Sequence, residues 1–291
     1  MTKRLILSAL ALTACLGAPK AQNPFVQTWC TSDPAPLVVG DKLYVYTGHD
    51  EDGAEFFWMQ EWRIYSTSDM VNWQDHGSPL ALESFSWADD RAWASQCIER
   101  NGKYYWYICA HSRRSGGMAI GVAVGDSPTG PFRDALGKPL FENGSWDHID
   151  PTVMIESLTL PPSQGGGTKQ QAWLMWGNPQ VYYCKLNDDM ISIDGEVQKL
   201  PMTEEAFGGP MMSQREKGKE YKDSYVEGPW LTKRDGIYQL LYAAGGVPEH
   251  ISYSTASSPT GPWKYAGQIM PLSDSKSFTN HCGVADFKGH S

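Results

Sequence analysis

Hydrophobic and polar positions alternate with a period near two along most of the chain, and the 3.6-residue helical period is weak throughout. Short aromatic runs follow tight polar turns. Gly40-Asp41 leads into Lys42-Leu43-Tyr44-Val45-Tyr46. Asn101-Gly102 leads into Lys103-Tyr104-Tyr105-Trp106-Tyr107. Asp235-Gly236 leads into Ile237-Tyr238-Gln239-Leu240-Leu241-Tyr242. Each predicts the middle of a β-hairpin, and Asn-Gly and Asp-Gly favour primed two-residue turns. A degenerate copy ends in Gln171–Trp176, after a glycine-rich insertion at Gly165–Gly167.

A second element recurs downstream. Tyr65-Ser66-Thr67-Ser68-Asp69 leads to Asn72-Trp73. Asp126-Ser127-Pro128-Thr129-Gly130-Pro131-Phe132 and Ser257-Ser258-Pro259-Thr260-Gly261-Pro262-Trp263 repeat the theme. The terminal aromatics lie 59 and 131 residues apart, one and two units of about 60 to 65. Several strands per unit at such a period predict an all-β fold, a β-propeller. The alternative is an irregular β-sandwich with coincidental turns.

Ahead of each hairpin lies a candidate inner strand: Asp33-Pro34, Trp93-Ala94, Asp150-Pro151, Glu227-Gly228-Pro229 and His281. Five such positions predict a five-bladed β-propeller. The fifth unit holds only its inner strand and the start of a turn at Asp286–His290, so the last blade is expected to be incomplete and the chain to be a fragment. Inner strands line the axis, so Asp33, Asp150, Glu227 and His281 are expected to converge on one pocket. Enclosed charges are costly to bury, and three carboxylates on one axis suggest catalysis or cation binding.

Composition narrows the function. The chain has 291 residues, net charge −9 and 20% charged residues, enough apolar content to bury a large core. The acidic balance argues against nucleic acid as a partner. Lys3-Arg4, the apolar run Leu5–Leu12 and the small residues that follow have the layout of a secretory signal over residues 1–21. Leu12-Thr13-Ala14-Cys15 resembles a lipobox, which would anchor Cys15 to a membrane; cleavage near Ala21 is the alternative. Either predicts an exported protein, periplasmic, lipid-anchored or secreted, with residues 22–291 as one propeller domain. No CxxC pair occurs, which argues against structural zinc. A Cys30–Cys97 bridge is compatible with export.

The chain resembles glycoside hydrolase family 43 from about Asn23 to its end. The resemblance rests on Ser32-Asp33-Pro34, Trp93-Ala94, Gly130-Pro131-Phe132, His148-Ile149-Asp150-Pro151, Val226-Glu227-Gly228-Pro229 and Asn280-His281 in that order. It implies a five-bladed propeller that cleaves arabinose and xylose linkages in plant cell-wall polysaccharide by inversion. It also implies Asp33 as general base, Asp150 as pKa modulator and Glu227 as general acid. An inverting glycosidase needs one protonated and one ionised carboxyl with room for a water between them. The expected activity is an exo-acting α-L-arabinofuranosidase on arabinoxylan, with β-xylosidase as alternative and a non-catalytic carbohydrate-binding propeller as the reading from another class. No organic cofactor is implied. His281 resembles a channel histidine that contacts a structural calcium or a water cluster; a hydrogen-bonded core histidine is the plain alternative. Trp93, His49, Asp50, Trp146 and His148 are the candidate substrate contacts, against inner-strand packing for Trp93 and solvation for the acidic loop around Asp50.

Overall fold

The computed structural model describes residues 24–159, 163, 166–272 and 278–290. The signal segment with Cys15 and most of the Pro161–Gly167 insertion lie outside the described residues. Among the described residues, no helix is long and apolar enough to cross a membrane.

Four antiparallel sheets follow one another along the chain. The first blade runs through Thr31–Val39, Lys42–Asp50, Met59–Thr67 and Trp73–Asp75. The second has its inner strand in two pieces, Ala88–Asp90 and Ser95–Arg100, followed by Lys103–Ser112, Met118–Gly125 and Phe132–Asp134. The third is built from Thr152–Thr159, Thr168–Trp176, Tyr182–Leu186 and Ile193–Lys199. The fourth comprises Tyr225–Arg234, Ile237–Ala244, His250–Ala256 and Lys264–Met270. Two of the expected hairpin turns have their predicted geometry. Asn101-Gly102 and Asp235-Gly236 sit between the pairs Arg100–Lys103 and Arg234–Ile237, and all four central residues have positive φ.

The alternating aromatics form the core rather than a sugar-stacking face. Trp62, Trp106, Trp176, Tyr46, Tyr107, Tyr225 and Tyr242 are fully buried. Buried tyrosine hydroxyls need partners, and here they clip blades together. Tyr46 donates to the Pro128 carbonyl (2.6 Å), Tyr107 to Met190 (2.6 Å) and Tyr225 to Gly177 (2.5 Å). On the axis, Gln96 both donates to and accepts from the Val153 backbone.

The propeller is thus confirmed, with a correction: the described residues form four blades, not five. Residues 278–290 carry only a Phe287–His290 bridge. A lone inner segment finds no neighbouring strand there to complete a ladder, so it runs as irregular chain between the fourth and first blades. Phe287 packs with Leu43 and Val45, and Arg234 pairs with Asp286. A Cβ on Gly283 would collide with the Pro34 carbonyl oxygen and the Pro36 ring, so only glycine allows this approach.

Candidate active site

Within or just ahead of each inner strand lies a residue in the left-handed region. These are Asp33 (φ 52°), Arg91 (φ 62°), Asp150 (φ 60°) and Gly228 (φ 60°). In the first and fourth blades the ladder register slips there, between Ser32 and Ala35 and between Glu227 and Trp230. Such bulges re-aim side chains at active sites, and a non-glycine residue held in this region costs of order 1–3 kcal/mol. The register also shows that Gly228, not Glu227, is the counterpart of Asp33. Glu227 reaches the axis from one residue earlier.

Beside these positions lies one pocket of about 220 Å³, lined by Asp33, Asp150, Glu227, Trp93, Trp146 and His281 among others. The three carboxyls expected to converge do so. Asp150 is buried, and its Oδ2 accepts from the Gly228 backbone amide at 2.9 Å, fixing the peptide that follows Glu227. Burial, and then the charges of Glu227 and Asp33, push Asp150 well above the usual carboxylate range. Burial likewise raises Glu227 to about 7; Asn178, donating to its Oε2 at 2.5 Å, pulls it down, and Asp33 adds to the rise. The cluster therefore holds protons at neutral pH that belong to it collectively.

The remaining expected residues divide. Trp93 lines the pocket, anchored by its indole N–H to the Phe57 carbonyl at 2.9 Å, and meets Trp146 edge-on at 5.3 Å between ring centroids. Trp146 is 46% exposed at the rim. Asp50 lies in an adjoining open cleft with Glu55, Phe56 and Phe278. Two histidines do not line the pocket. His49 is buried with its Nδ1 3.1 Å from Glu61 and its ring against Trp29. His148 is fully buried; it accepts from the Trp176 indole at Nδ1 (2.9 Å), which leaves Nε2 to donate to Asn143 (2.7 Å). Burial lowers it to about 4, so it is a neutral packing residue.

His281 is in the pocket wall but not in a metal cage. Its ring packs on Gly228, and its Nδ1 lies 3.7 Å from Asp33 Oδ1. Calcium takes six to eight oxygens. Among the described residues no group of three or more His, Cys, Asp or Glu is arranged to hold a metal ion. One imidazole and one carboxylate do not fit calcium as a protein-built site. The Cys30–Cys97 bridge is also corrected: Cys30 is exposed, Cys97 is buried in the core, and both are free thiols.

Three pocket residues escaped the sequence reading: Asn178, Val247 and Glu249. A signal for two of them existed. Gly177-Asn178-Pro179 and Gly246-Val247-Pro248 hold the same place, between second and third strands of their blades, and each puts the residue before proline on the pocket wall.

The family model for glycosyl hydrolases family 43 matches residues 21–289. A xylosidase/arabinosidase from Bacteroides ovatus is 29% identical over 89% of this chain and 83% of its own. An arabinoxylan arabinofuranohydrolase from Bacillus subtilis is 28% identical over 85% of this chain and 51% of its own. Among solved structures, a β-xylosidase/α-arabinofuranosidase from a compost metagenome, in a calcium-free complex with xylotriose, superposes with a TM-score of 0.74 at 25% identity. That match covers 93% of this chain and 86% of the other. An α-L-arabinofuranosidase from Clostridium thermocellum gives 0.67 at 29%, covering 89% and 79%.

Proposed function

The chain belongs to glycosyl hydrolases family 43, and from that premise we propose that it is an inverting exo-glycosidase that removes single arabinofuranosyl groups from arabinoxylan-type polysaccharide. The observation that carries the reading is the meeting of Asp33, Asp150 and Glu227 in one small pocket, with Glu227 held near 7. A carboxyl protonated at neutral pH can give its proton to the leaving oxygen. Asp33, on the neighbouring wall, takes a proton from the attacking water as that water adds to the anomeric carbon. Asp150 acts through the backbone, holding the Glu227–Gly228 peptide. Burial and Asp33, rather than a charge on Asp150, account for the raised acid. No step runs through a metal.

The pocket volume suits one terminal sugar better than a length of polysaccharide threaded through it. Trp93 and Trp146 present ring surface for a sugar face. A binding-only propeller has no use for three converging carboxyls. β-Xylosidase is the second reading, favoured by the xylosidase names and the xylotriose complex among the relatives. The sequence pattern of residues 1–21 supports export, through cleavage or a lipid on Cys15.

The test is hydrolysis of 4-nitrophenyl α-L-arabinofuranoside against the β-D-xyloside, with proton NMR of the first-formed anomer. Faster arabinoside turnover with inversion supports the first reading. Faster xyloside turnover selects the second. A retained anomer, or no turnover of either with intact arabinoxylan also untouched, refutes the proposal.

A further inference from the structure

Glu249 is the pocket carboxyl that the reaction above does not use. It sits on the fourth blade just ahead of the strand His250–Ala256, is 1% exposed, and lines the same cavity as Asp33 and Glu227. It also makes three hydrogen bonds to one short stretch of chain. Its Oε2 accepts from the Asn280 backbone amide (2.9 Å), its carbonyl accepts from the Asn280 side-chain amide (2.5 Å), and its own amide donates to the Phe278 carbonyl (3.3 Å). The next residue is His281, whose ring lies flat enough on Gly228 that a Cβ there would stand 3.2 Å from Nδ1. The same Nδ1 is 3.7 Å from Asp33 Oδ1.

Among the described residues this segment pairs with no sheet, so these few bonds do what a ladder does elsewhere in the ring. We infer that Glu249 is a positioning residue: it ties residues 278–281 to the fourth blade and, through Asn280 and His281, holds Asp33 in its working orientation. Asp33 needs such help, because its backbone is in the left-handed region at a bulge and its side chain is not buried as Asp150 is. Burial and the Glu227 charge raise Glu249 to about 8, so it is neutral at pH 7 and acts as a hydrogen-bonding group. Glutamine reproduces that shape and keeps the acceptor for the Asn280 amide.

The inference rests on Asp33 as the base, and the test separates the two. Misplacing a reacting group by about 1 Å costs on the order of 100-fold. Glu249→Ala is therefore expected to lower kcat roughly 10- to 100-fold, with KM changed less than about threefold and the thermal transition still cooperative. Glu249→Gln recovers most of the loss. The double variant Glu249→Ala/His281→Ala is no slower than His281→Ala alone, because the effect passes through that ring. If His281→Ala does not fold, Asn280→Ala takes its place in the cycle. Additive losses, a Gln variant as poor as Ala, or a change mainly in KM would overturn the inference. Near-normal turnover by Asp33→Asn would instead overturn the reading of Asp33. An inactive Asp33→Asn beside a normal Glu249→Ala sinks the positioning role alone.

Discussion

Replacing Glu227 by glutamine separates catalysis from stability. The carboxyl titrates near 7 in the folded protein against an ordinary value of 4.5, mainly because burial penalises its charge. Folded protein therefore binds the proton more tightly than unfolded protein. Below about pH 4.5 both states are protonated and nothing is lost. Between 4.5 and 7 the unfolded state ionises first, and stability falls as pH rises. The full loss above pH 7 is on the order of 3 kcal/mol. Glutamine does not ionise, and its carbonyl can still accept from Asn178. Glu227→Gln should thus abolish turnover, match wild type at pH 4.5, and exceed it by about 3 kcal/mol at pH 8. For a chain this long, each kcal/mol moves the midpoint by roughly 2–4 °C. Calorimetric scans of both proteins at the two pH values, with 4-nitrophenyl glycoside turnover, give the comparison. A stability difference independent of pH would refute the burial argument, and an active variant would refute the assignment of the acid.

Asn178→Ala removes the donor that pulls Glu227 down, so the alkaline limb of kcat/KM should move to higher pH; an unmoved limb would disconnect Asn178 from the acid. His148→Ala strands the Trp176 indole and the Asn143 side chain, and should cost about 1–3 kcal/mol per stranded group in urea unfolding. Its folded fraction should turn over normally, since His148 is packing rather than a sugar contact. Gly228→Ala puts a Cβ in the left-handed region and against His281. It should lower the midpoint by a few degrees and slow turnover, both measurable on one preparation.

The sequence by itself determined the local units. A two-residue period with Asn-Gly and Asp-Gly turns dictates hairpins, because side-chain alternation and positive φ are properties of a few adjacent residues. Its repeat dictated a ring, and the ring's symmetry brought Asp33, Asp150 and Glu227 to one axis although 194 residues separate the first from the last. Tertiary structure alone decided the rest. His148 and His49 looked like pocket residues from their neighbours in sequence, but which face a side chain takes beside a bulge depends on the strand across from it. Trp176 and Asn143 claim one, Glu61 and Trp29 the other. Glu249 gave no sign of chemistry, and the Gly-X-Pro spacing that marks Asn178 gave a position but not a role, because both reach the pocket from loops whose direction is set by packing between blades. The protonation of Glu227 was likewise not in the sequence. A glutamate is an ordinary acid until burial removes its water, and the pocket that encloses it takes its walls from distant places along the chain, Phe57, Trp93, Ile149 and Val247 among them.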